Sequence, residues 1–196
     1  MVMKFKDSAL AHEILDNSDV IIEIGASAHN PFNIKSESYF NVDLPKKYRE
    51  VYEQESEVLG EGIATVDVEV TGVDLPFPDN YADAIMSSHV IEHFFNPIKA
   101  LREWYRVIKP GGYIYIICPH KDRTFDKNRE VTTITEIIER LDIPYLEDGA
   151  QHYTVWRTDD FVKMVKAFGF VVTHVQDVDD KVGNGFTVVI QKQHGV

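Results

Sequence analysis

Two parts of this chain carry most of the side chains that could take part in a chemical reaction. The segment SHVIEH, residues 88–93, places His89 and His93 four residues apart, with an acidic residue between them. Asp126 and His152 lie in later polar stretches that have no regular hydrophobic pattern. Imidazole and carboxylate groups exchange protons near neutral pH. We therefore interpret His89, His93, His152 and Asp126 as candidate catalytic groups that remove a proton from a substrate.

The histidine pair in SHVIEH also invites a metal-binding interpretation. If a helix begins here, His89 and His93 share one of its faces. A zinc-protease helix requires the order HExxH, however, and HVIEH places the glutamate at another position. We therefore expect no metal ion in this protein. A packed or helix-capping role is the structural alternative for His93.

A second candidate site lies nearer the amino terminus, where backbone N–H groups rather than side chains could bind a ligand. Residues 20–24, VIIEI, form a β-branched apolar run that is typical of a buried strand. Gly25, Ala26 and Ser27 follow as a turn of small residues that lets a ligand approach the backbone. Open α/β sheets bind ligands at the carboxyl ends of their strands. This turn is therefore a candidate cofactor site.

The elements that must position these residues alternate between strands and helices. Patterns predict strands at 20–24, 39–42, 63–70, 84–86, 113–118, 170–176 and 186–192, and helices at 7–15, 45–60, 98–109, 135–141 and 159–168. Thr133 with Glu136 has capping-box spacing, and Thr158 is a predicted N-cap. We predict an α/β fold with a doubly wound, Rossmann-like, seven-stranded sheet, mostly parallel with a C-terminal antiparallel hairpin.

Composition and charge narrow the possible partners. The 196 residues and 44% hydrophobic content indicate one globular domain, residues 1–196. A net charge of −12 argues against nucleic acid as a partner, because phosphate binding requires lysine and arginine.

The cysteine content and the lack of long apolar runs bear on where the protein is found. Cys118 is the single cysteine, which excludes an intrachain disulfide. Neither a signal-peptide core nor a run of roughly 20 apolar residues for a membrane span is present, so we expect a cytoplasmic protein. Oligomeric state stays open.

Five motifs in this order resemble those of class I S-adenosylmethionine-dependent methyltransferases of type 11. They are EIGAS at 23–27, VD at 42–43, LPFPDNYADAI at 75–85, SHVIEH at 88–93 and IKPGG at 108–112. The resemblance covers about residues 20–118 and implies S-adenosylmethionine as cofactor. A nicotinamide-dependent oxidoreductase is a further alternative, but the second and third glycines of GxGxxG are missing.

The resemblance implies a role for each residue of the cofactor half, about residues 18–118. Glu23 would hold the cofactor's ammonium group, and Asp43 would accept hydrogen bonds from the ribose diol; an acidic residue before a helix is the alternative for Asp43. The adenine position falls on Thr71 and Gly72, where this chain lacks the usual acidic side chain. The implied cofactor-binding residues are Glu23, Gly25, Ala26, Ser27, Asp43, Leu44, Thr71, Gly72, Ser88 and His89.

Residues 119–133 and HYTVW at 152–156 resemble a narrower group, associated with bacterial cell-surface polysaccharide biosynthesis. This implies that loops at about 119–160 form an acceptor pocket and that a sugar, glycan or sugar-linked phosphate is O-methylated. The group tends to read HxHVW, so Thr154 replaces one imidazole. The alternatives are a small-molecule methyltransferase with another acceptor and a non-catalytic methyltransferase-like partner protein.

Several other side chains, most of them in the loops at about 119–160, have both a functional and a structural interpretation. His120 and Asp122 are further candidate bases. Arg123 and Arg129 suit a phosphate or carboxylate on the acceptor, although solvated charge is the more frequent role of a loop arginine. Buried packing is the expectation for Trp104, Trp156 and Cys118.

Overall fold

The computed structural model describes residues 7–25, 32–45, 64–144 and 151–195. Its strands are β1 Val20–Ile24, β2 Ser38–Asp43, β3 Val68–Glu69, β4 Ala82–Ser88, β5 Ile108–Pro119, β6 Val171–Gln176 and β7 Gly185–Gln191. Its α-helices are α1 Ala9–Leu15, α2 Pro97–Val107, α3 Ile134–Arg140 and α4 Thr158–Ala167. Short 3-10 turns lie at Ile91–His93, Lys121–Arg123 and Phe125–Asn128.

The strands described form one seven-stranded sheet in the order β3-β2-β1-β4-β5-β7-β6. Strand β1 pairs in parallel with both β2 and β4, and β4 pairs in parallel with β5. Strand β7 runs antiparallel to both β5 and β6. The predicted doubly wound sheet with a reversed C-terminal hairpin is therefore confirmed. The strand order reverses between β1 and β4, and such a crevice is where α/β sheets bind ligands.

Apolar side chains cover both faces of the sheet. Ile22 packs with the larger cluster, which includes Leu101 and Trp104 of α2, whereas Ile21 faces a smaller cluster that includes Leu15 of α1. The indole Nε1 of Trp104 donates to the carbonyl oxygen of Gly72 at 2.7 Å. Trp104, Trp156 and Cys118 are all buried, as expected.

Two strands differ from their predicted bounds by more than two residues at one end. Of the strand predicted at 63–70, only Val68–Glu69 forms within the described residues. The Asp67 carboxylate accepts from Asn41 N at 2.8 Å and the Asn41 side chain donates to Thr65 O at 3.0 Å, so side chains replace part of the strand pairing. The strand predicted at 113–118 begins earlier, at Ile108, so the last two residues of the helix predicted at 98–109 belong to β5 instead. An irregularity in its pairing with β4 accommodates residues 110–112.

Helix starts show one confirmed prediction and one error. Thr133 and Glu136 form the predicted capping box. Thr158 is the first residue of α4 rather than its N-cap, because its hydroxyl donates to Asp177 instead of capping the helix. The helix predicted at 45–60 lies almost entirely outside the described residues. Among the described helices, none has the length and apolarity that crossing a membrane requires.

Candidate active site

The turn after β1 requires glycine on two independent grounds. Gly25 has φ +78°, a conformation that residues with a side chain rarely adopt. A Cβ placed there would lie 2.3 Å from Cγ2 of Val90. The Gly25 N–H donates to Val42 O at 2.8 Å, which fixes the turn against β2. Ala26 and Ser27 lie outside the described residues, so their predicted cofactor contacts stay predictions.

Glu23 places a carboxylate beneath this turn with 8% of its surface exposed. The Tyr39 hydroxyl donates a hydrogen bond to it. Burial raises the pKa of Glu23 to about 7, although the Tyr39 bond and the Lys181 ammonium act in the opposite direction. A buried carboxylate with so high a pKa gains most from an added cation, because a positive neighbour stabilises its charged form. This environment suits a ligand with an ammonium group.

Asp43 lies at the carboxyl end of β2, next to β1 in the sheet. Its side chain is buried, and its Oδ1 accepts from Leu44 N at 2.7 Å. This position is compatible with the predicted contact to a ribose. Gly72 is tightly packed instead, since a Cβ there would lie 2.8 Å from Cζ of Phe94. The adenine contacts of Thr71 and Gly72 stay predictions.

The segment after β4 does not form the helix on which a shared His89–His93 face depends. Ser88 is still part of β4, and His89 follows with φ +56°. Ile91–His93 then forms a 3-10 turn that leaves out His89, so the condition for a shared helical face is not met. Burial lowers the pKa of His89 to about 4, which leaves this imidazole neutral at pH 7.

Glu92, which was not among the predicted site residues, is the centre of the arrangement. Its side chain is 1% exposed, and its Oε1 lies 3.8 Å from Nε2 of His93 and 3.8 Å from Nε2 of His152. Nδ1 of His89 lies 4.0 Å from the same oxygen. Within the described part of the chain, neither Glu92 oxygen has a hydrogen-bond partner. We call Glu92, His93 and His152 the Glu92 cluster.

A second layer of groups orients the two imidazoles of the Glu92 cluster. His152 Nδ1 donates to Asp126 Oδ2 at 2.6 Å, and His93 Nδ1 donates to Gln151 O at 3.1 Å. Arg129 Nη1 in turn donates to Asp126 Oδ1 at 2.7 Å. With each Nδ1 bonded in this way, the Nε2 atoms are the ones that face Glu92. The structure thus brings together three of the four predicted catalytic residues, with His89 beside them.

Backbone hydrogen bonds hold the distant segment 152–156 against this site. Tyr153 N and Thr154 N both donate to Glu92 O, at 2.8 and 3.2 Å. Thr132 N donates to Val155 O at 2.9 Å. Thr154, which stands in place of a second imidazole, is fully buried. Because its backbone N–H donates to Glu92 O, its role in this structure is to hold the Glu92 turn in place.

The remaining candidate residues in the loops at about 119–160 bind other groups of the protein. Nδ1 of His120 accepts from Asp122 N at 3.2 Å, and the Asp122 carboxylate pairs with Arg157 at 2.9 Å. Arg123 pairs with Asp177 at 3.1 Å and also binds the Gly185 carbonyl. Arg123 and Arg129 thus bind groups of the protein itself, and neither is simply a solvated charge.

The glycine turn and the Glu92 cluster share one edge of the sheet. Strands β1, β4 and β5 are parallel, and their carboxyl ends lead to Gly25, to the Glu92 turn and to the Asp126 turn. The side chain of Val90 contacts the Gly25 turn from two residues before Glu92. The Gly25 turn and the Glu92 cluster therefore lie at the same edge of the sheet, with Val90 packed against the turn.

Comparison with known proteins bears on what this edge binds. Residues 23–116 match the Methyltransf_11 family, described as a methyltransferase domain. A 50-residue stretch is 42% identical to the ubiquinone/menaquinone biosynthesis C-methyltransferase UbiE of Vibrio cholerae serotype O1 and covers 26% of this chain. That stretch is 19% of the relative, so the chain spans about a fifth of the curated relative's length.

Solved structures match over nearly the whole chain. A SAM dependent methyltransferase from Aquifex aeolicus superposes with a TM-score of 0.59 at 19% identity, covering 95% of this chain and 89% of that one. The [4+2]-cyclase SpnF superposes with a TM-score of 0.61 at 13% identity, covering 95% and 79%. Identities this low show the fold alone. Residues 23–116 of this chain therefore match a methyltransferase domain, and the chain adopts the fold of the superposed structures.

Proposed function

We propose that this protein transfers the methyl group of S-adenosylmethionine to a hydroxyl oxygen of a sugar, a glycan or a sugar-linked phosphate. The observation that carries the proposal is the Glu92 cluster, oriented by Asp126, at the same sheet edge as the Gly25 turn. The proposed acceptor class also rests on the resemblance of residues 119–133 and 152–156 to the polysaccharide-associated group.

The chemistry requires orientation of two reactants and the loss of one proton. The S–CH₃ bond of the sulfonium breaks with its electron pair going to sulfur, and an O–CH₃ bond forms from a lone pair of the acceptor oxygen. The hydroxyl proton must leave for the neutral product to form. The imidazoles and carboxylates around Glu92 are suited to this last requirement.

Release of S-adenosylhomocysteine in the presence of an acceptor panel tests the proposal. The panel contains nucleotide sugars, short glycans and a hydroquinone, and NMR of the product distinguishes O–CH₃ from C–CH₃. We expect turnover with a sugar-containing acceptor and an O-methyl product. Absence of S-adenosylhomocysteine binding in calorimetry, or binding without turnover on any acceptor, would contradict it.

Carbon methylation of a hydroquinone is the second candidate. The 42% identity with the Vibrio cholerae C-methyltransferase over 50 residues favours it. A C–CH₃ product from the hydroquinone, with the sugar acceptors inert, would support this candidate over the first. Binding without turnover would instead support a non-catalytic role, and the cyclase SpnF shows that this fold carries other activities.

Asp43→Ala is expected to lower the affinity for S-adenosylhomocysteine by about 10- to 100-fold, because hydrogen bonds to a charged group contribute about 1.5–3 kcal/mol. Isothermal titration calorimetry measures the change. Asp74→Ala is the matched control, since this nearby aspartate is exposed. Equal losses in the two variants, or none in Asp43→Ala, would contradict a ribose contact.

The pKa of Glu23 predicts a pH-dependent affinity. Because this pKa is about 7 without ligand, most Glu23 is protonated below pH 7, and a ligand ammonium must displace that proton. Affinity for S-adenosylhomocysteine should therefore rise as pH increases toward 7, by about tenfold per pH unit, and level off above it. In Glu23→Gln the affinity should be weaker and this slope should disappear. Calorimetry from pH 5.5 to 8 in both proteins tests this, and a shared slope would contradict it.

A further inference from the structure

We propose that Glu92, His93 and His152 bind one divalent transition-metal ion, with zinc as the ion that this donor set fits. The site is at odds with the sequence-based expectation of no metal, which considered only His89, His93 and the glutamate between them. Its third ligand, His152, comes from a segment 60 residues beyond Glu92. A catalytic role for the ion rests on the proposed function. Binding of the ion to these three residues does not depend on the proposed function.

The donor atoms converge without bonding one another. One ligand atom from each of the three side chains lies within 4.8 Å of the other two. The 3.8 Å separations between Glu92 Oε1 and the two Nε2 atoms are too long for hydrogen bonds. Both Glu92 oxygens are buried and have no partner among the described residues. A buried carboxylate in this condition requires a compensating group, and a cation between the three atoms supplies one.

The geometry is close to that of a bound site. Nitrogen and oxygen ligands about 2.0–2.2 Å from a tetrahedral zinc ion lie roughly 3.4 Å apart. The two Glu92–histidine edges, at 3.8 Å each, must therefore contract by about half an ångström. The remaining edge, between the two histidine ligand atoms, is at most 4.8 Å.

The second layer also matches that of a metal site. Metal-binding histidines usually donate their other N–H to a carboxylate or a backbone carbonyl, which fixes the ring and its tautomer. His152 makes such a bond to Asp126 and His93 makes one to Gln151 O. Both bonds form through Nδ1, which directs each Nε2 toward the proposed ion. His12 offers a contrast, because it pairs with Asp16 at 2.8 Å on α1 but belongs to no such three-residue group among the described residues.

Three protein ligands leave coordination positions for the acceptor. With the ion bound, the Nε2 lone pairs are occupied, so proton loss to solvent would replace direct transfer to an imidazole of the Glu92 cluster. A hydroxyl bound to the ion would have a lowered pKa and lose its proton to solvent, and its oxygen would then attack the methyl carbon as the S–C bond breaks. The ion is neither oxidised nor reduced. In this arrangement Asp126 is a positioning residue that acts through His152.

Zinc titration of untagged, chelator-treated protein tests the site. We expect calorimetry to show one zinc ion per chain and zinc to raise the Tm. Glu92→Gln and His152→Gln should each weaken binding by at least about 100-fold, and Asp126→Asn by about 10- to 100-fold. His12→Gln should bind zinc like the wild type. Calorimetry with S-adenosylhomocysteine confirms that each variant is folded.

A measurement on the wild type keeps the test independent of variant folding. Cobalt(II) should bind in the same ratio as zinc, give visible absorption bands and be displaced by zinc. Wild-type protein that binds neither ion, or that binds zinc equally after Glu92→Gln, would overturn the proposal. Methyl transfer in metal-free protein at the full rate would overturn the catalytic use alone. Zinc binding without any methyl transfer would leave the metal site standing and contradict the proposed function.

Discussion

Gly25→Ala is expected to abolish measurable S-adenosylhomocysteine binding and to lower the free energy of unfolding by about 2–5 kcal/mol. Part of the loss is backbone strain, because alanine must adopt φ +78°. The rest is steric, because its Cβ would lie 2.3 Å from the Val90 side chain. Relief of that overlap moves either the turn or the Val90 segment, and both lie at the proposed cofactor site.

Gly169→Ala is the control that separates strain from overlap. Gly169 has φ +90° just after α4, and no atom within the described ranges lies within 4 Å of its added Cβ. We expect a loss of about 1–2 kcal/mol from strain alone and unchanged S-adenosylhomocysteine affinity. Chemical denaturation and calorimetry on both variants measure the two effects. Cofactor affinity retained in Gly25→Ala would place the binding site elsewhere.

The parts of this molecule that local sequence determines could be predicted. The β-branched run before Gly25 predicts a buried strand, because continuous apolar residues are disfavoured at a sheet face exposed to water. The Thr133–Glu136 capping box depends on residues three apart, and it forms as predicted. Thr158 shows the limit, because its hydroxyl bonds to Asp177, which lies 19 residues away.

The Glu92 cluster could not be predicted in the same way. His152 reaches Glu92 because Tyr153 and Thr154 donate backbone hydrogen bonds to the Glu92 carbonyl. Backbone bonds between segments about 60 residues apart leave no local pattern of residue types. The signal available in the sequence was weaker, namely an acidic residue flanked by two histidines in an otherwise apolar segment. That signal identifies Glu92 as a candidate but does not identify its partners.

The largest effect on turnover is expected from Asp126→Asn, which should lower kcat by about 10²- to 10⁴-fold while cofactor affinity is retained. In the wild type the Asp126 carboxylate accepts from His152 Nδ1, so Nε2 carries the lone pair that faces Glu92. An asparagine amide donates to Nδ1 instead and shifts the proton to Nε2. That tautomer can neither accept the acceptor's proton nor bind a metal ion through Nε2.

Because asparagine has the same shape as aspartate, the expected loss of turnover comes from the changed tautomer of His152 and not from a rearranged site. The asparagine carbonyl oxygen still accepts from Arg129, so we expect a stability loss of no more than about 1–3 kcal/mol. Nitrogen-15 NMR of histidine-labelled, metal-free protein reports the tautomer directly, and His152→Gln assigns the signal. A merely structural role for Asp126 would leave that tautomer unchanged.

Asp122→Asn is the matched control for charge and location. Asp122 lies in the neighbouring 3-10 turn and pairs with Arg157 at the surface. Its loss removes a carboxylate–guanidinium pair without touching His152, and exposed pairs contribute little to stability. We expect its turnover to stay within about twofold of the wild type. Comparable losses in both variants would show that the effect comes from loop charge, whereas a loss confined to Asp126→Asn would trace it to the orientation of His152.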